Sequence, residues 1–153
     1  MMFLATPWPA YIVGTSCIGR GCFAISNPRP EYRRTGLALE GASASDPRSG
    51  LVSPLMLFKG IREVSYGLTI ILLQRRGLDD ALTLFALVLA GVRVADGVVV
   101  WWKGGEGLRH QSVGHFMAGA VMAFWGWRRG LLKDVLPLMH DLRAGGFNPP
   151  FSY

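Results

Sequence analysis

Lys59, Arg62, Glu63, Arg93 and Asp96 lie inside two otherwise apolar stretches of the chain. Two carboxylates among three bases are the parts of an acid–base site. A carboxyl can give or take a proton while a guanidinium or ammonium holds the oxygen on which charge develops. Their setting sharpens the point, because a charge at bilayer depth costs roughly 2.5–3.5 kcal/mol on insertion scales. Charge kept there pairs with other charge or lines a functional cavity. Lys59 and Glu63 are four residues apart, and Arg93 and Asp96 are three apart, so each pair can meet on its own helix. Arg62 and Tyr66 share a helix face in the same way. Arg62 and Arg93, at matching depth, repel unless a carboxylate or an anionic ligand stands between them. With three bases against two acids, one positive charge is left for a ligand. An unpaired carboxylate in a low dielectric moves toward its neutral form and can donate a proton.

The expected catalytic residues are therefore Asp96, Glu63 and His115, with Arg62, Arg93, Lys59 and Tyr66 as the substrate-binding set. The plainer reading of the same residues is an ion-pair network that holds helices in register, with Lys59 snorkelling to the surface. His110, His115 and Asp96 lack the spacing of a metal-ligand pair, so no metal site is expected. Gly104-Gly105-Glu106-Gly107 follows no strand and reads as a turn rather than a phosphate cradle. No cofactor is implied.

Four apolar stretches must position these groups. The first runs over 3–24 and the second over 53–74, opened by Ser53 as cap and Pro54 in the first turn. The third covers 80–102, with Asp79 and Asp80 suited to the positive end of a helix and Trp101-Trp102-Lys103 as an interface anchor. The fourth covers 111–127 and ends in Trp125, Trp127, Arg128 and Arg129. About 20 residues span a bilayer, so three stretches fit well and the last is short. The expected fold is an all-α, up-down four-helix membrane bundle over 1–129, followed by a tail over 130–153. In the tail, Leu131, Leu132, Val135, Leu136, Met139 and Leu142 suggest a short interfacial helix interrupted by Pro137.

The long connection from Ile25 to Gly50 reads as a loop with a mobile middle. The other two connections are short, so the second, third and fourth helices should pack as antiparallel neighbours. At about 1.5 Å rise per residue, Lys59 lies about 8 Å from one face, Arg62 and Glu63 about 12–14 Å, Arg93 about 14 Å, Asp96 about 9 Å and His115 about 6 Å. All the costly residues then fall in one layer near one side, with Arg20 in the same zone. The opposite half of the bundle carries no charge inside its spans.

Composition agrees with a bilayer setting. Of 153 residues, 50% are hydrophobic and 17% charged, against about 25% charged in a soluble domain. The net charge of +6 is spread between the stretches, where it can meet lipid phosphates, and nucleic acid is not an expected partner. The first ten residues hold no basic residue and two prolines, unlike a cleaved signal peptide. Cys17 and Cys22, five apart on one helix, are badly spaced for a mutual bond and are expected as buried thiols. Small residues recur at four-residue spacing in Ala86/Ala90, Gly91/Ala95, Gly114/Ala118 and Gly119/Ala123, which allows close helix packing or self-association. Basic residues divide evenly between the two faces and do not orient the bundle.

Three segments carry a family resemblance: Gly21-Cys22-Phe23-Ala24-Ile25-Ser26-Asn27-Pro28; Lys59-Gly60-Ile61-Arg62-Glu63-Val64-Ser65-Tyr66-Gly67-Leu68; and Ala95-Asp96-Gly97 with His115 beyond. On them the chain resembles the small multi-pass membrane proteins of domain-of-unknown-function family 4267. The resemblance covers most of residues 10–127. It implies a four-helix membrane bundle with Arg62, an acid at 63 and Asp96 as its polar signature. It implies no activity, and connects to specialised-metabolite pathways by association only.

Two classes of function follow. In the first, the polar layer is an acid–base site of isomerase, cyclase or dehydratase type for an apolar metabolite arriving from lipid. In the second, the protein binds or shuttles a lipid or metabolite, or scaffolds a partner enzyme, without chemistry. The residues lean slightly toward the first.

Overall fold

The structure, a computed structural model, describes residues 6–42 and 49–143, with 131–143 as backbone alone. Among the described residues six helices follow one another: α1 (Trp8–Ser26), α2 (Pro28–Thr35), α3 (Leu55–Arg75), α4 (Asp79–Lys103), α5 (Gly105–Leu108) and α6 (Gln111–Arg143). The described residues are all-α, apart from a single bridge between Glu40 and Leu51 that closes the 36–53 loop. The expected middle of that loop, 43–48, and the start of the first stretch before residue 6 lie outside the described residues.

The long helices form two tight antiparallel pairs, α1 with α3 and α4 with α6, while α3 and α4 meet along a thinner seam. Glycine makes the first pair possible. A Cβ at Gly21 would stand 2.5 Å from the Gly60 carbonyl oxygen, and one at Gly60 would stand 2.9 Å from that of Gly21. Gly14 and Gly67 face each other in the same way one heptad further along. These backbones touch because no side chain intervenes. In the second pair Gly119 packs on the Ala90 carbonyl, and Ala86 and Ala90 are buried, as their spacing suggested. Gly91 and Gly114 face open space instead.

Two elements differ from expectation. The stretch after Ile25 is not loop throughout, because α2 forms over Pro28–Thr35. Pro28 occupies its first turn, Glu31 lies near its positive end, and Gly36 ends it in the left-handed region at φ 79°. Those are ordinary helix start and stop signals. The fourth helix also does not stop near Trp127. Its backbone continues unbroken past Pro137 to Arg143, so the tail helix is an extension of α6 rather than a separate interfacial helix.

The apolar core sits at the end of the bundle away from α2, where Ala10, Ile70, Leu82, Ala86, Leu89, Ala90, Met122 and Trp125 pack together. A smaller cluster of Ala24, Tyr32 and Met56 lies under α2. Outside, the helices are apolar: Ile12, Leu68, Leu72, Leu84, Val88, Met117, Val121 and Phe124 are all exposed. Glu63 is fully buried, and Arg93 and His115 nearly so. Among the described residues, α4 alone is long and apolar enough to cross a membrane by length and composition. The first half of α3 is interrupted by Lys59, Arg62 and Glu63.

Candidate functional site: an ionic layer beneath α2

The charged residues of α3 and α4 do meet, both between the two helices and, for the expected Arg93–Asp96 pair, within α4. Arg93 grips Glu63 with both terminal nitrogens, Nη1 to Oε1 at 2.6 Å and Nη2 to Oε2 at 2.5 Å. This two-pronged geometry is the strong form of an Arg–carboxylate pair. It ties α4 to α3 at their seam. Asp96 stands where a carboxylate was needed between two arginines, with Oδ1 3.3 Å from Arg62 Nη2 and Oδ2 4.0 Å from Arg93 Nη1.

The expected Lys59–Glu63 pair does not form. Lys59 Nζ donates instead to Glu31 Oε1 at 2.8 Å, and Arg20 approaches the same oxygen at 3.8 Å. The flexible lysine stem reaches toward the helix end, where α2 places a buried carboxylate. The shorter Glu63 side chain stays inside facing α4. Among the described residues of this layer, Glu31, Glu63 and Asp96 each have a basic partner, so the layer holds no isolated carboxyl. Four bases (Arg20, Lys59, Arg62, Arg93) stand against three acids (Glu31, Glu63, Asp96) in this layer.

α2 closes the layer from above through three ties. Glu31 holds Lys59, the Ser53 backbone N–H donates to the Tyr32 hydroxyl at 2.8 Å, and His115 Nε2 lies 3.3 Å from the Thr35 carbonyl oxygen. Because a carbonyl only accepts, this last contact needs the proton on Nε2, which leaves Nδ1 for another partner. Ser53 Oγ also accepts from the Leu55 N–H at 3.3 Å, but the N-cap position of α3 is taken by Pro54, one residue later than expected.

Beneath α2 lies a cleft of about 590 Å³. Lys59, Arg62, Asp96 and His115 line it, with Tyr32, Thr35, Lys103 and Glu40 adding polar groups and Leu37, Met56, Phe58, Val99 and Val100 apolar ones. A mainly apolar hollow with a few converging polar groups is the usual form of a small-molecule site. Four of the seven expected site residues thus line the cleft, from α3, α4 and α6. Glu63 and Arg93 stand behind this lining rather than in it, and Tyr66 lies deeper, edge-on to Phe85 at 6.1 Å and under Arg62 at 6.0 Å.

A family model described as "Domain of unknown function (DUF4267)" matches residues 14–129. The chain belongs to this family. The DUF4267 match spans both glycines of each helix in the α1–α3 seam, every member of the ionic layer and the whole cleft. No curated protein and no solved structure matches the chain.

Glu31, Tyr32 and Thr35 were not expected at the site. The signals for them were Asn27-Pro28, which starts a helix, and Gly36, which stops it. Of the two thiols, Cys17 is buried as expected while Cys22 is exposed, and both are free. Among the described residues no group of His, Cys, Asp and Glu is placed to hold a metal.

Proposed function

We propose that this DUF4267 chain is a multi-span membrane protein, with α1, α3, α4 and α6 in the bilayer. Its cleft accepts an apolar metabolite and performs acid–base chemistry on it. The supporting observation is the inverted polarity around the cleft. Ion pairs are buried inside, while Leu, Val, Phe and Met side chains face outward on the long helices. Water would penalise such a molecule, whereas hydrocarbon solvates its outer face and drives the charges together.

In this reading Asp96 takes a proton from a carbon beside a carbonyl and returns it at another position. Arg62 holds the oxygen on which charge collects. Such an isomerisation conserves atoms and electrons and needs no co-reactant. His115, fixed by Thr35, presents its remaining nitrogen for a second proton. Arg93 and Glu63 position α4 behind the cleft. A second reading, binding or carriage without chemistry, is supported by the basic partner that every acid of the layer already has.

The test compares lipid-soluble metabolites by mass spectrometry in cells lacking the protein and in cells complemented with wild type, Asp96→Asn or His115→Gln. An intermediate that accumulates, is cleared by wild type and persists with well-expressed Asp96→Asn supports catalysis. Equal clearance by all three removes the acid–base role and leaves binding or carriage.

A further inference from the structure

We infer that the cleft takes an amphiphile with an anionic head and a hydrocarbon chain, and that this ligand passes sideways through the α3–α4 seam. The inference rests on the membrane reading above and names the ligand class of the same site.

The two arginines of the layer are held very differently. Arg93 is nearly buried and saturated by Glu63 on both terminal nitrogens. Arg62 makes only long contacts to Asp96, 3.3 and 3.5 Å from a single nitrogen. Its Nε is buried without a partner, and 42% of its side chain is exposed. Asp96 cannot neutralise it fully, because Arg93 also claims that carboxylate at 4.0 Å. Lys59 is likewise one of two bases on Glu31. The layer therefore keeps one positive charge in excess, and the rim adds one of each sign in Lys103 and Glu40. A carboxylate or phosphate supplies the missing acceptor in a geometry that guanidinium matches well.

The walls indicate the path. On the water side α2 is tied down by Lys59, Ser53 and His115. On the lateral side α3 and α4 meet sparsely. There Leu55 (67%), Phe58 (66%) and Val99 (49%) are exposed while also lining the cleft. Those three apolar side chains both line the cleft and reach the outer surface. A chain leaving there would enter hydrocarbon, and a head left inside would meet Arg62.

The experiment uses the full chain in phosphatidylcholine nanodiscs and three photoreactive probes of equal chain length: a fatty acid, a lysophosphatidic acid and a fatty alcohol. Crosslinked peptides are mapped by mass spectrometry. Both acidic probes should label residues 54–62 and 95–103, and either one alone doing so fixes the head as carboxylate or phosphate. The alcohol should label about tenfold less, the factor expected for one lost charge-assisted hydrogen bond. Arg62→Gln should bring the acids down to the alcohol's level, Arg62→Lys should retain part of the difference, and Val99→Trp should block labelling by all three. Equal labelling by alcohol and acids, or labelling scattered over the outer helix faces, overturns the inference. A chain that purifies from the aqueous fraction without detergent overturns the membrane reading itself.

Discussion

Asp96 and Glu63 are both carboxylates in the same layer, yet their surroundings assign them different duties. Glu63 is fully buried and gripped at two points by Arg93, whereas 24% of the Asp96 side chain is exposed to the cleft. Removing one member of a buried pair leaves the other charge without compensation, which costs about 3–5 kcal/mol. Glu63→Gln should therefore lower the thermal unfolding midpoint in detergent sharply, and Glu63→Leu with Arg93→Met should recover much of the loss. Asp96→Asn keeps shape and should unfold within a few degrees of wild type. If the cleft is catalytic, turnover should fall by roughly 10²–10⁴ in that variant. The residue types and their common depth were legible in the sequence, because charge in an apolar stretch stands out. The partners were not, since position along a helix permits a Lys59–Glu63 contact without requiring it. What decides the pairing is the reach of each side chain and a third acid, Glu31, which lies in a stretch whose prolines and polar residues suggest a loop.

At the scale of elements, α2 and the glycine seam carry most of what was missed. α2 is short and strongly polar, so it shows no apolar face to a pattern search, and only its Pro28 start and Gly36 stop mark it. Its hold on the bundle is testable through Tyr32. Tyr32→Phe leaves the buried Ser53 N–H without its acceptor and should cost about 1–3 kcal/mol, read as a lower unfolding midpoint and faster amide exchange over 28–35. The glycines of α1 and α3 repeat at seven residues rather than four, which a search for four-residue spacing passes over. Gly60→Ala would push a methyl against the Gly21 carbonyl and the Ile25 side chain. Separating two packed backbones in this way should cost about 1–3 kcal/mol. Gly91→Ala meets open space and should leave the unfolding midpoint unchanged or slightly raised, through helix propensity alone. The second and third stretches were readable within two residues of the observed α3 and α4, because apolar length and flanking Arg, Trp and Asp mark them plainly, whereas α6 runs on from the expected end at 127 to Arg143.

Among the described residues, ion pairs are buried within the bundle while many large apolar side chains of the long helices face outward, and on this rest the cleft's ligand class and the lateral path. α4 meets the length and composition of a spanning helix by itself. Among the described residues no other helix does, and in α3 the apolar run is interrupted by Lys59, Arg62 and Glu63. The most direct measurement is labelling of single cysteines with a membrane-impermeant maleimide in native membranes, on a background with Cys17 and Cys22 replaced. Leu68, Val88 and Val121, outward-facing near the middle of α3, α4 and α6, should stay unlabelled until detergent is added. Arg76 and Glu106, exposed at the helix ends, should label at once from whichever side each faces. If the three mid-helix positions label as fast as Arg76 and Glu106 in intact membranes, their outer faces meet water, and the membrane account is contradicted.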